Sequence, residues 1–375
     1  KSLDILKGVD KEKKKYKKVN QYVLLKKLGE GSFSKGYLGF DTQTQKHYAL
    51  KRVHLKELSR TISGIKQLQT EIEIMRKLKH PNIISLREVI HVAKESLVYI
   101  VLEFADCGNL ESILQSDFKL TPIEIQDIFA QVVKAVAFLH SQNIVHQDLK
   151  PSNILMKSDG KVLISDFGIG HTFQSAAMVV GTPAYQAPEV IDDVSMINYN
   201  NYDPKISFSH SFAMNEGENG QLTSLIPLEE PANLEELNND TNEPGKEDVW
   251  SLGVTLYEMN FHFLPFDGGN VFEIVRSISL TTITDPPAEC DPDLWDLILK
   301  MLVIDPRQRI SMKEIMQHPY YTNANHEIEP IVGLPEIETP RLDPTAKFKI
   351  IKGRVCTPNY SFVDTDVSIK ARLTK

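Results

Sequence analysis

Short runs of apolar and β-branched residues, set between polar turns, fill the first hundred positions of the chain. "YVLLKKL", "GYLGF", "HYALKRV" and "LVYIVLEF" have strand length and strand composition, so this half predicts a small sheet. Between the third and fourth runs the period changes. In "GIKQLQTEIEIMRKL" the residues Ile65, Leu68, Ile72, Met75 and Leu78 recur at helical spacing, and Pro81 follows shortly after. That stretch predicts an amphipathic helix.

From about residue 108 the pattern turns mostly helical. Thr121-Pro122-Ile123-Glu124 is a capping-box start with proline at the first helical position, and Ile125, Ile128, Phe129, Val132, Val136 and Leu139 supply one apolar face behind it. Later, "EDVWSLGVTLYEM" is apolar on nearly every side, as a central buried helix would be. Two stretches break the periodicity. Residues 190–246 hold nine asparagines, clustered acids and few aliphatics outside "LTSLIPL", and read as a mobile insertion. Residues 324–375, punctuated by Pro330, Pro335, Pro340, Pro344 and Pro358, lack a sustained period and read as an extended tail.

A chain of 375 residues exceeds the ~150 usual for one domain, which points to two lobes or domains. Charge is unevenly placed. Residues 190–246 carry eleven acids against Lys205 and Lys246, so this segment supplies the net charge of −8 and the remainder is close to neutral. Cys107, Cys290 and Cys356 are far apart and form no CxxC pair, which argues against a disulfide framework and a zinc site, and fits a reducing compartment. Eight lysines lie in the first twenty residues with no apolar stretch after them, unlike a secretory signal; a solvated basic tail is the reading, ahead of contact with an anionic membrane or nucleic acid. No apolar run approaches the ~18 residues that span a bilayer. The chain starts at Lys1 rather than Met, so the expectation is that residues precede it in the natural protein.

Against this background several short motifs carry chemistry. "LGEGSFSKGYLGF" is a strand, a glycine-rich turn and a second strand, and Gly29 and Gly31 have no side chains to keep backbone amides from phosphate oxygens. Lys51 lies on the next strand, where it could reach such phosphates, and Glu71 on the amphipathic helix is a candidate counter-charge; taken singly, each reads as a solvated surface residue. "IVHQDLKPSNIL" packs Asp148, Lys150 and Asn153 closely: a carboxylate to orient a hydroxyl, a cation to neutralise a phosphoryl group, and an amide to hold a metal. In "LISDFG", Asp166 follows a strand where it could ligate Mg²⁺. Each alone could be a cap or turn residue; their order and spacing together are not a chance pattern.

From about Tyr22 to Tyr321 these motifs resemble the eukaryotic protein kinases. The resemblance implies an α+β, bilobal fold with a small β-rich N-lobe containing one key helix and a larger, mainly α-helical C-lobe. It divides the chain into a basic N-terminal tail (1–18), an N-lobe (19–104), a C-lobe (105–323) with the acidic insertion at 190–246, and the C-terminal tail (324–375). It also implies ATP and Mg²⁺ as cofactors. Leu28, Gly29, Glu30, Gly31, Ser32, Phe33 and Gly36 would form the loop over the nucleotide, with Ala49 and Leu155 beside it. Lys51 would pair with Glu71 and the phosphates; Leu102 would be the gatekeeper, with Glu103, Phe104 and Ala105 as the hinge. Asp148 would be the catalytic base, Lys150 the phosphate partner, and Asn153 and Asp166 the Mg²⁺ ligands. "GTPAYQAPE" resembles the substrate-facing loop, with Glu189 expected to pair with Arg309, and Asp248 and Trp250 match the start of the large central helix. Lys150 and Thr182 resemble serine/threonine rather than tyrosine kinases.

Within the superfamily, "NQY", "GTPAYQAPE" and "DVWSLGVTLYEMNFHFLPFDGGNVFEIVRSI" resemble kinases that activate other kinases: the calcium/calmodulin-dependent kinase kinases and the tumour-suppressor kinase upstream of AMP-activated kinase. Protein substrates, among them other kinases, are therefore expected, in the cytoplasm or the nucleus, with no DNA partner. A scaffold or a calmodulin-type regulator is a candidate partner. For the latter, "AKFKIIKGRV" mixes bases and apolar residues, yet Phe348 and Ile350 alternate as in a strand and Gly353 weakens a helix.

Four positions depart from the family pattern. Ser34 replaces the third loop glycine, and Gly36 replaces the valine that packs on adenine. Gln147 replaces the arginine that in many relatives binds an activation-loop phosphate, and Met178 stands where the primary phosphosite often lies, although Thr172 and Ser175 remain. Both halves of a phosphate switch are then missing. The rival reading these departures motivate is a pseudokinase or scaffold-like binding module; a small-molecule phosphotransferase is disfavoured by "GTPAYQAPE" and "EDVWSLG".

Overall fold

Strands form where the apolar runs stand. The computed structural model describes residues 15–31, 33–60, 64–166, 183–191, 245–280, 283, 286, 289–343 and 345–358. Contacts gather these into two units, one comprising 1–138, 150–176 and 324–375 and the other 139–149 and 177–323. Ser32, Thr172, Ser175, Met178, Thr182 and nearly all of the acidic insertion lie outside the described residues.

In the first unit, β1 (Lys15–Val19), β2 (Tyr22–Glu30), β3 (Ser34–Asp41) and β4 (His47–His54) lead through α1 (Leu55–Leu58) and α2 (Gly64–Lys77) to β5 (Leu86–Val92) and β6 (Leu97–Glu103). Helix α2 is the expected amphipathic helix and buries Ile65, Leu68, Ile72 and Met75. After α3 (Leu110–Leu114) and α4 (Pro122–Ser141) come a short hairpin, β7 (Ile154–Met156) and β8 (Val162–Ile164), and two late strands, β9 (Lys347–Ile351) and β10 (Arg354–Val355). The main sheet runs β10-β5-β6-β4-β3-β2-β1-β9.

Two expectations change here. Lys15–Lys18 belong to β1 rather than to a tail, and the C-terminal stretch, read as an extended tail, adds a strand to each edge of the sheet: β9 parallel to β1 and β10 antiparallel to β5. A five-residue run carries little pattern of its own, and its conformation comes from the edge it pairs with. The tail also contributes to the core, where Ile351 packs with Val19, Tyr22, Leu50, Ile90 and Tyr99.

The start of α4 has the expected reciprocal cap: Thr121 donates from its backbone nitrogen and its hydroxyl to the Glu124 carboxylate at 2.7 and 2.9 Å, and Glu124 N–H returns to the hydroxyl at 3.3 Å. From α4, the buried Gln131 carbonyl accepts from Asn82 and from the Val162 N–H, at 2.8 and 3.0 Å, and its amide donates to the Gly160 carbonyl at 3.0 Å. A buried amide satisfied in this way fixes the β7–β8 hairpin, and with it both chain segments that carry the candidate metal ligands.

The second unit is helical, with α5 (Lys246–Phe261), α6 (Val271–Leu280), α7 (Pro292–Met301), α8 (Met312–Ile315) and α9 (Pro319–Thr322). Helix α5 is buried nearly all round, from Asp248 to Tyr257, as a pattern apolar on nearly every side requires. Among the described residues no helix is long and apolar enough to cross a membrane.

Candidate active site

Strand register aligns the glycine-rich hairpin with Lys51. Gly29 stands opposite Gly36, and Gly36 opposite Lys51, so the three lie in one cross-strand row that carries side chains on the same face. Leu28 and Glu30 flank Gly29 on β2, and Glu30 is ion-paired with Lys27 and Lys35. The turn closes through Gly31 N–H to the Ser34 carbonyl at 2.8 Å, and the Phe33 carbonyl accepts from His54 N–H at 3.4 Å. A Cβ on Gly29 would meet nothing within 4 Å, which leaves its backbone open to approach. A Cβ on Gly36 would meet only ordinary contacts, the nearest at 3.7 Å, so no steric demand of the hairpin calls for glycine there.

Lys51 binds two carboxylates. Its ammonium lies 3.3 Å from Glu71 Oε1 on α2 and 2.8 Å from Asp166 Oδ1 just after β8. The side chain of Glu71, which by itself reads as a surface glutamate, is 8 % exposed, whereas that of Asp166 is 54 % exposed. Burial alone would lower the Lys51 pKa; the attraction of Asp166 and then of Glu71 overrides it and holds the ammonium well above the ordinary lysine value. Lys51 is therefore a fixed cation at working pH. Asp166 has φ of 53°, a left-handed conformation that costs a non-glycine residue energy, and in it the carboxylate accepts from Lys51. The residue before it, Ser165, donates from its backbone and hydroxyl to the Asn153 carbonyl at 2.9 and 3.2 Å, which ties the two segments bearing Asn153 and Asp166 to each other.

Ala49 stands opposite Leu102 across β4 and β6, giving an apolar strip one row beyond Lys51. Glu103 at the end of β6 is ion-paired with Lys157 at 3.2 Å and accepts from the Ser85 hydroxyl at 3.1 Å, so its side chain is occupied structurally. Ala105 is buried; beyond it, Cys107 N–H donates to the Met156 carbonyl at 3.1 Å, which brings this linker alongside β7, where Leu155 lies.

Asp148 belongs to the second unit and Lys150 to the first. Within the second unit the buried Asp248 carboxylate accepts from His146 N–H, Gln147 N–H and the His140 ring, each at 2.8 Å. That acceptor holds Gln147 in a left-handed conformation, φ 63°, immediately before Asp148. His146 is fully buried and its Nδ1 accepts from Asp148 N–H at 3.3 Å, a structural role. By sequence Asp248 reads only as the start of a helix; the signal for its role is a carboxylate on a helix that is apolar on nearly every side. The expected Glu189–Arg309 pair is present, with contacts of 2.7 and 3.0 Å.

A family model described as the protein kinase domain matches residues 22–209 and 235–321. The chain belongs to the protein kinase domain family. Its fold is the α+β kinase fold, and the family match is interrupted at 210–234, inside the acidic asparagine-rich stretch. Similar kinases include serine/threonine-protein kinase stk11 of Xenopus laevis, 30 % identical over 330 residues, which are 86 % of this chain and 66 % of the relative. The Homo sapiens protein STK11 is 28 % identical over the same shares of the two chains. CBL-interacting protein kinase 16 of Oryza sativa is 31 % identical over 309 residues, 81 % of this chain and 57 % of that kinase. The chain thus spans just under two thirds of the length of the vertebrate relatives.

Proposed function

We propose that this protein is a serine/threonine kinase that transfers the γ-phosphoryl group of ATP to hydroxyls of protein substrates. The observation that carries the reading is the Lys51 ammonium held between Glu71 and Asp166 on the face of the glycine-rich hairpin. Such a cation, fixed by two carboxylates from separate elements, suits α/β-phosphate oxygens. Gly29 and Gly31 let backbone amides close over the same phosphates, and Ala49, Leu102 and Leu155 offer apolar contact to the base, with the backbone at Glu103 and Ala105 at its edge.

The Asn153 amide oxygen and the Asp166 carboxylate are two hard oxygen donors, a set that fits Mg²⁺, which takes one or two protein ligands and completes its shell with phosphates and water. Mg²⁺ bound there would offset charge on the transferring group. Asp148 positions the substrate hydroxyl and accepts its proton, and Lys150 stabilises charge on the phosphoryl oxygens in transfer. The resemblance of "GTPAYQAPE" and the stretch from Asp248 onward to kinases that activate other kinases supports other kinases as substrates. A calmodulin-type regulator finds no support in Lys347–Ile351, since that segment is a strand paired along its length with β1.

The test is transfer of label from γ-labelled ATP to a protein substrate by the purified chain and by Asp166→Asn. Label on serine or threonine that disappears in the variant is expected. Nucleotide binding without transfer by the natural sequence would favour the binding-module reading instead.

A further inference from the structure

Strands β9 and β10 stand at opposite edges of the eight-stranded order, yet only Lys352 and Gly353 separate them. That link spans at most about 11 Å, so the β1 and β5 edges lie near each other and the C-terminal strip closes the sheet across both. The closure is specific. Asn20, in the β1–β2 turn, donates from its backbone to the Ile351 carbonyl at 3.0 Å, and its amide brackets Gly353, accepting from its N–H at 2.9 Å and donating to its carbonyl at 3.2 Å. A Cβ at 353 would sit 2.4 Å from Ile90 Cγ2, so only glycine passes this point. Past β10, Cys356 N–H donates to the Val89 carbonyl at 2.8 Å, and the Cys356 carbonyl accepts from Arg76 at 2.8 Å.

Arg76 lies on α2, five residues beyond Glu71. The helix is therefore held at two points, at Glu71 by Lys51 and at Arg76 by the C-terminal strip. The Glu71–Lys51 contact is 3.3 Å, the longer of the two that Lys51 makes, and is the one more readily lost by a small slide or roll of the helix. A misplacement of about 1 Å near a phosphoryl-transfer site can cost about a hundredfold in rate.

We propose that Arg76 is a positioning residue: bonded to the Cys356 carbonyl, it lets the C-terminal strip set the place of α2 and so keep Glu71 on Lys51. This rests on the reading of Lys51 as the phosphate-binding lysine. Arg76 touches no reacting group, and its effect passes through Glu71. The strip thereby links the far C-terminal end of the described chain to the catalytic lysine, and whatever displaces it lowers activity without entering the site.

The test is a double-mutant cycle in the full chain, using kcat and KM for ATP together with hydrogen exchange of Gly64–Lys77. Arg76→Met keeps the aliphatic packing and removes the bond; Arg76→Lys restores a donor. The expected result is a loss in kcat/KM of about tenfold or more in Arg76→Met, recovery in Arg76→Lys, and no further loss when Arg76→Met is added to Glu71→Gln. Exchange in Gly64–Lys77 is expected to quicken in Arg76→Met alone. An equal loss in the natural and Glu71→Gln backgrounds, or unchanged exchange, would overturn the proposal. Were the natural chain to transfer no phosphate, the kinase reading would fail while the exchange comparison still decided the latch.

Discussion

Arg309, its side chain shielded completely from solvent, donates from both terminal nitrogens to the Glu189 carboxylate. Its remaining N–H groups reach the carbonyls of Val303, Lys246 and Ile304, so all five donors are used, and the guanidinium lies 5.1 Å from the centre of the Trp250 ring. Removing one member of such a pair leaves a carboxylate and several carbonyls without partners. Arg309→Met is expected to lower the unfolding free energy by about 3 kcal/mol, at the low end for buried pairs because Glu189 is partly exposed. Urea titration checks this, and a loss under about 1 kcal/mol would show that the network contributes little.

Gly36 offers a test of the nucleotide face. Because a Cβ there meets only ordinary contacts, Gly36→Val should fold normally and add apolar surface beside Lys51. Tighter ATP binding is expected, by about 1 to 2 kcal/mol, or roughly tenfold in Kd. Calorimetric titration would show it; weaker binding in a variant of unchanged Tm would mean that the face is already filled.

Gln147 is exposed and neutral where a phosphate-binding arginine would stand. Activity should therefore not depend on a phosphorylated activation segment. Phosphatase-treated protein is expected to keep most of its activity toward a peptide substrate. Loss of essentially all transfer after that treatment, with recovery on rephosphorylation, would refute the idea.

Burial holds the His91 pKa below its ordinary 6.5, and Arg354 stands opposite it on β10. The unfolded chain then binds a proton more readily than the folded one, so the stability this histidine gives is complete above about pH 6.5 and declines as pH falls through its folded value. Tm should be lower at about pH 5.5 than at about pH 7.5, and His91→Leu should narrow the difference. An identical pH response in that variant would assign the effect elsewhere, for example to His47, His80 or His326, whose pKa values burial also lowers.

Much of the site was legible because it rests on local signals. The strands around Lys51, the amphipathic helix of Glu71, the Thr121–Glu124 cap and the buried helix of Asp248 all follow from spacing within a dozen or so residues. Strand pairing between remote segments was not legible. Asn20 and Gly353 are 333 positions apart, and nothing in "KYKKV" or "KFKII" alone says that the two runs meet. Strand β5 does not stand out in the sequence for a related reason: "LREVIHV" alternates weakly, and it pairs with β6 on one side and β10 on the other. The role of Asp248 needed the structure as well, since its partners are two backbone N–H groups that no sequence motif displays and the ring of His140, 108 positions away.

The central claim is phosphoryl transfer organised by Lys51 and Asp148, and initial-rate measurement with γ-labelled ATP on a kinase activation-loop peptide tests it most directly. The natural chain should phosphorylate the peptide, while Lys51→Met and Asp148→Asn, each folded by its thermal transition, should fall by about a hundredfold or more. Transfer at the natural rate by Asp148→Asn, or none by the natural chain, would contradict it.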